Sequence, residues 1–138
     1  RDRSPSRGLG DVYKRQDKEC LFIIEAAALT HDIGIHFCEE KYGNCNGKLQ
    51  EKEGPAIAEK LLGELGFDRN VSERVQYLIA HHHTYGNINE MDYQILVEAD
   101  FLVNIMEEGS SKEAAIKAYQ NIFKTSCGKK ICREMFGI

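Results

Sequence analysis

The sequence predicts an all-α domain of about six helices. Three observations carry that reading: apolar residues recur at helical spacing from Asp17 onward, capping and stop residues punctuate them at helix-length intervals, and no stretch alternates apolar with polar as a half-buried strand would. A chain of 138 residues fits one domain. Asp17 is placed to N-cap a first helix running to about Asp32, with Gly34 as its stop signal. A loop over 35–48 follows, holding Gly43, Asn44, Asn46 and Gly47. Pro55 suits the first turn of a second helix ending at Gly66, with Ala58, Leu61, Leu62 and Leu65 as its apolar face. Asp68 or Asn70 caps a third, from Val71 to His82, with Val71, Val75, Leu78, Ile79 and His82 on one side. The polar turn 86–89 leads to a fourth helix, Asp92 to Met106, closed by Gly109. Ser110 and Glu113 have capping-box spacing for a fifth, ending near Lys124, and a short sixth covers Gly128 to Phe136.

Residues 1–16 stand apart, with five basic residues, Pro5, two serines and two glycines but no periodic apolar face. Ser6 to Gln16 resembles one reading frame of a transposase-type sequencing adapter, so the segment is set aside as foreign and the domain is taken as 17–138. The whole chain has 18 Lys+Arg and 22 Asp+Glu; without that segment 13 and 20 remain, a net charge of −7. An acidic domain needs a local cation to hold an anionic substrate.

Composition narrows the function classes. Hydrophobic residues at 42% and charged residues at 29% indicate a globular core rather than disorder. No basic stripe is present, so a nucleic-acid polymer is not an expected partner. The longest apolar stretch, Leu21 to Leu29, is interrupted by Glu25 and falls short of the ~20 residues of a membrane span. Five cysteines without CxxC spacing read as reduced thiols, which places the protein in the cytoplasm. Tyr and Phe occur singly and mark no oligomer surface.

Chemistry-bearing residues cluster at His31-Asp32, Glu53, His81-His82-His83 and Asp100. Asp100 is flanked by Leu96, Val97, Ala99, Leu102 and Val103, and a carboxylate facing a core needs a partner. Singly, each is ordinary: an inward His is usually a satisfied core residue, and a helical Asp is often a cap. Together, imidazoles and carboxylates on rigid helices are the ligands of hydrolytic metal sites.

The run Ala26-Ala27-Ala28-Leu29-Thr30-His31-Asp32-Ile33-Gly34 resembles the A-A-L-L-H-D-I-G signature of the HD-domain superfamily of metal-dependent phosphohydrolases. Asp92 to Asp100 is similar to the helix that supplies that family's final Asp, and the likeness spans Asp17 to Met106. The chain also resembles small stand-alone HD proteins of anaerobic bacteria. The resemblance implies an all-α bundle binding one or two divalent metals (Mn, Fe, Zn, Co, Ni or Mg). It gives His31, Asp32 and Asp100 as ligands, with His82 and His83 as the histidine pair of the two-metal branches. Glu53 stands near where those branches place a His before a Gly-Ala helix, and can be either a ligand or a first-turn residue favoured by the helix dipole.

Two departures matter. The family's first His lies upstream of the HD pair, where this chain has the adapter-like segment, so the domain is expected to lack that ligand-bearing helix. The family's HD-x-x-K is Asp32-Ile33-Gly34-Ile35 here, which leaves nucleotide specificity open; His36 can stand in for the lysine or be a loop residue.

The implied activity is hydrolysis of a small phosphate ester, nucleotide-like or not, by metal-activated water. Asp32 would hold the metal, and whichever of His81 or His83 is not a ligand would protonate the leaving oxygen. Lys41, Lys48 and Lys52 are candidates for the substrate's anionic part, against the simpler reading of surface charge. The alternatives are a regulatory HD domain that binds metal or nucleotide without turnover, and a di-iron oxygenase of the same superfamily.

Overall fold

The computed structural model describes the backbone of residues 5–138 and the side chains of residues 17–138. The expectation that residues 1–16 are foreign lies outside the described side chains. The described chain is all-helical: α1 (Pro5–Thr30), α2 (Ile35–Tyr42), α3 (Gly47–Glu64), α4 (Arg69–His81), α5 (Met91–Glu107), α6 (Lys112–Asn121) and α7 (Ser126–Phe136). Only the four-residue turn 31–34 separates α1 from α2, so counting that pair as one bent helix gives the six expected.

The core forms where the apolar faces of α1, α3, α4 and α5 meet. Ala27, Ala58, Val75, Leu78, Ile79 and Val97 are completely buried there. The α4 face read from the sequence is the face that is buried. Each fully buried Leu or Ile contributes about 1.5–3 kcal/mol. A smaller second core joins the end of α5 to α6 and α7 through Ile105, Ala115, Ala118, Phe123 and Cys132, with Phe101 and Ile122 touching both clusters.

Several element boundaries differ from the sequence reading. Asp17 lies inside α1 and does not cap it. The segment read as a loop contains α2, because Ile35, Cys38 and Tyr42 have helical spacing and Cys38 is fully buried. Gly43 (φ 75°) ends that helix, donating its N–H to the Glu39 carbonyl. Helix α3 starts eight residues before Pro55, at Gly47, because the Asn46 side chain caps it by accepting from the Leu49 N–H at 3.0 Å. Pro55 is therefore interior, and the Glu51 carbonyl loses its usual helical donor. Ser111, not Ser110, caps α6, and Thr125 caps α7 by accepting from the Gly128 N–H at 2.9 Å.

The bent α1–α2 unit also qualifies the reading of membrane segments. Asp17–Tyr42 is long and apolar enough, by length and composition, to cross a membrane, despite Glu25. In this fold its apolar residues Ile23, Ala26 and Ala27 pack into the main core. The helix breaks at His31–Gly34.

Candidate functional site

The turn between α1 and α2 sets the geometry of the His-Asp pair. Thr30 Oγ1 donates to the Ala26 carbonyl at 2.7 Å, closing α1 from within. The His31 N–H still reaches the Ala27 carbonyl, whereas the Ile33 and Ile35 N–H groups make short turns back to Thr30 and Asp32. Gly34 follows in ordinary right-handed geometry, so it does not act as a left-handed helix stop. Its role is contact: a Cβ there would sit 3.2 Å from the Gly54 backbone, and a Cβ on Gly54 would sit 2.7 Å from the Ile79 side chain. Two glycines thus let the turn approach α3, and α3 approach α4.

His31 is held at both ring nitrogens. Nδ1 donates to the Ala28 carbonyl at 2.8 Å, and Nε2 faces Asp100 Oδ1 at 3.1 Å and Asp32 Oδ2 at 3.3 Å. With its proton on Nδ1, a neutral ring would present a lone pair to two carboxylates. A proton or a metal cation on Nε2 resolves that arrangement. Burial works against the charged ring, but the Asp100 hydrogen bond and the Asp32 charge outweigh it and raise the His31 pKa. Burial likewise works to raise the Asp100 pKa, and the His31 hydrogen bond reverses it, so the carboxyl titrates lower than usual. The Asp100 side chain is 10% exposed and that of Asp32 is 53%, so Asp32 is the member open to solvent.

His82 caps the C-terminus of α4 and is completely buried. Its Nδ1 donates to the Ile79 carbonyl at 2.6 Å, but its Nε2 has no hydrogen-bond partner among the described residues. The ring lies edge-on to His31, with centroids 5.3 Å apart. Burial, then the neighbouring His83, pushes its pKa down, so the ring is neutral and its Nε2 carries a free lone pair. A buried acceptor without a partner costs about 1–3 kcal/mol.

The other expected residues divide. His83 packs against His82 with centroids 4.1 Å apart, and its N–H donates to Glu51 at 3.0 Å. His81 turns away: its Nδ1 bonds the Tyr77 carbonyl at 2.7 Å and its ring stacks on Tyr77. Glu53 accepts from the Tyr42 hydroxyl at 2.8 Å and pairs with Lys41 at 3.6 Å, so its contacts are with α2 and not with His31. That hydroxyl, opposed by burial and helped by Lys41, holds the Glu53 carboxyl below its usual range. Lys48 bonds Glu51, which also holds the His83 N–H, at 3.1 Å and Thr84 at 3.2 Å.

Gln50, Glu51 and Tyr85 belong to this region and were missed in the sequence. Reading 35–48 as a loop and starting the helix at Pro55 hid the fact that Gln50 and Glu51 project from α3 towards His83. Gln50 Oε1 lies 3.4 Å from His83 Nε2, and Glu51 accepts from both His83 N–H and the Thr84 hydroxyl. The signal available was Asn46 as a cap, which would have put both residues in a helix.

The donor set fits a divalent metal by its chemistry: two imidazoles, one with a buried unpartnered nitrogen, and two carboxylates. No three His, Cys, Asp or Glu side chains among the described residues already stand in a metal-ligating arrangement. His31 and Asp100 instead satisfy each other, so a metal would displace the His31 proton and its hydrogen bond. Comparison of the chain with known protein families, with curated proteins and with solved structures finds no match in any of the three.

Proposed function

We propose that this protein is a metal-dependent hydrolase of small phosphate esters, with His31, Asp32, His82 and Asp100 as its metal ligands. The observation that supports this most strongly is the buried, unpartnered Nε2 of His82 beside a His31 whose own Nε2 faces two carboxylates. A purely structural histidine at a fully buried position would be expected to use both nitrogens. The HD-type resemblance of the His31-Asp32 run supplies the reaction class.

A divalent metal bound here would supply a lowered water pKa and charge neutralisation for phosphoryl oxygens. The protein's own groups do the rest. Asp32, the exposed carboxylate, stands at the open side, where it can orient an attacking water. His83 is the histidine placed to protonate a leaving oxygen, because His81 is committed to Tyr77. Lys48 sits beside His83 through Glu51 and Thr84 and can attract an anion to an otherwise acidic domain. We place it in a reducing cytoplasm on its cysteine usage, and its sequence pattern resembles that of small bacterial HD proteins.

The hydrogen-bonded His31–Asp100 pair favours one second reading, a regulatory domain that binds metal or nucleotide without turnover. A phosphatase panel with Mn, Fe, Zn, Co, Ni or Mg separates the two. Metal-dependent phosphate release that Asp32→Ala abolishes supports hydrolysis. Metal binding without release supports the regulatory domain, and oxygen consumption with iron would instead point to an oxygenase.

A further inference from the structure

The adjacent histidines just beyond α4 present opposite ring nitrogens. His82 donates from Nδ1 to the Ile79 carbonyl and leaves Nε2 unpartnered, whereas His83 points its Nε2 at Gln50 Oε1, 3.4 Å away. Which end of the Gln50 amide meets the ring is fixed by its other contact. Its Nε2 donates to the Cys45 carbonyl at 2.7 Å, and a carbonyl only accepts, so the amide oxygen is the end that faces His83. That oxygen only accepts as well, so His83 Nε2 carries a proton. Gln50 is buried, with both ends of its amide engaged. Gly47 stands three residues earlier, on the same face of α3. A Cβ on it would fall 2.8 Å from His83 Cγ and 3.1 Å from Cδ2, so the ring lies against the bare glycine. Glu51 fixes the backbone beneath, accepting from the His83 N–H at 3.0 Å. Gly47 and Gln50 thus cover the Cδ2–Nε2 edge of the ring. Nδ1 lies on the opposite edge, where no hydrogen bond engages it among the described residues.

We propose that Gln50 is a positioning residue: with Gly47 it seats the His83 ring on α3 and keeps a proton on Nε2, so that Nδ1 is the nitrogen His83 offers to a ligand. A glutamine suits this task because its amide can be anchored through the donor end while the acceptor end holds the ring. What the ring does with Nδ1 rests on the phosphohydrolase reading. There the Nδ1–H bond breaks and an O–H bond forms as the phosphorus–oxygen bond opens and its electron pair goes to the leaving oxygen. The ring left behind is the neutral form that Gln50 already holds, with its remaining proton on Nε2. Transfer from Nε2 instead would leave a lone pair facing the Gln50 oxygen, two acceptors with no proton between them.

The first readout needs neither metal nor substrate. In the isotope-labelled full chain at alkaline pH, long-range proton–nitrogen NMR spectra should show the neutral His83 ring as one tautomer, protonated at Nε2. Gln50→Leu and Gly47→Ala should each release the ring and give a mixture of tautomers. Gln50→Glu loses the Cys45 bond but keeps an acceptor, so the Nε2–H form should persist. The second readout compares two esters with added Mn. The p-nitrophenolate of p-nitrophenyl phosphate leaves without a proton, whereas the alkoxide of glycerol phosphate needs one. Gln50→Leu should therefore slow the glycerol ester about tenfold more than the nitrophenyl ester, part of the roughly 10²–10⁴-fold that a positioned acid contributes. Gln50→Glu should recover most of that difference. A wild-type ring protonated at Nδ1, or a tautomer that Gln50→Leu leaves unchanged, overturns the proposal. Equal slowing of both esters in Gln50→Leu, without recovery in Gln50→Glu, reduces Gln50 to a structural tie for Cys45 and overturns its role in proton transfer. The Nε2–H tautomer in a protein that hydrolyses neither ester with any of the candidate metals upholds the seating of His83 and overturns the phosphohydrolase reading.

Discussion

His31 and Asp100, 69 residues apart in sequence, meet through a 3.1 Å contact between Nε2 and Oδ1. That contact ties the α1–α2 turn to the middle of α5 and decides the ionisation of both groups. Asp100→Asn should therefore bring the His31 pKa down, measurable by NMR titration of the ring. The stability consequence has a definite sign. Because the His31 pKa is raised, its contribution is complete below its ordinary 6.5 and is lost as pH rises through the folded value. Because that of Asp100 is lowered, its contribution is complete above its ordinary 3.8 and is lost as pH falls through the folded value. The metal-free wild type should exceed Asp100→Asn by roughly 1–3 kcal/mol between those limits, and by less outside them.

His82→Met isolates the unpartnered nitrogen. The substitution nearly conserves volume in the core and removes a polar atom that nothing satisfies, so the metal-free variant should stay within about 1.5 kcal/mol of wild type. What it should lose is the response to metal. Wild type should melt at higher temperature when Mn or Zn is added, by about 2.7 kcal/mol at a hundredfold excess over the dissociation constant. Thermal melts of both proteins with and without metal measure the difference. An equal metal response in the variant would remove His82 from the site.

Glu98 holds the C-terminal helices in place. Its buried carboxylate accepts from Gln94 at 2.6 Å, from the Lys124 and Thr125 N–H groups at 3.0 and 3.1 Å, and from the Thr125 hydroxyl at 2.6 Å. Glu98→Ala strands those donors and should destabilise the fold by roughly 2–5 kcal/mol in urea titrations. Gly128→Ala should also destabilise, since its Cβ would fall 1.9 Å from Glu98 Oε1, an atom that Thr125 fixes in place.

Tyr93 ties the segment after α4 to α5. Its hydroxyl donates to the His81 carbonyl at 2.7 Å and also lies against the Thr84 carbonyl. Burial pushes its pKa up to about 12, so its stabilising effect is complete below its ordinary value of 10 and is lost as pH rises from there to about 12. Tyr93→Phe should cost about 1 kcal/mol near neutral pH and flatten the alkaline decline over that interval. Chemical denaturation at pH 7, 10 and 12 tests both halves.

What could be read in the sequence follows from which forces are local. The α4 face from Val71 to Ile79 and the α5 run from Asp92 are strongly periodic, and burial follows that periodicity. His82 read as inward because it continues the α4 face, and it is fully buried. The start of α3 was missed because Pro55 resembles a first-turn residue, whereas Asn46 and its bond to Leu49 set the boundary. Helix α2 was missed because eight residues carry little periodic signal, and Cys38 is its only buried residue. The contacts of Glu53 with Tyr42 and of Gln50 and Glu51 with His83 depend on how α2 and α3 pack. No spacing rule encodes that. The Gly34–Gly54 approach is likewise tertiary, although both glycines were visible.

The most direct test of the central claim is metal content per chain by elemental analysis, on protein purified without chelator and then loaded with Mn or Fe. The account predicts about one or two bound metals, lost in Asp32→Ala and in His82→Met while both variants remain folded. No bound metal in the wild type after loading would contradict it, and His31, Asp32 and Asp100 would then be polar groups that satisfy one another.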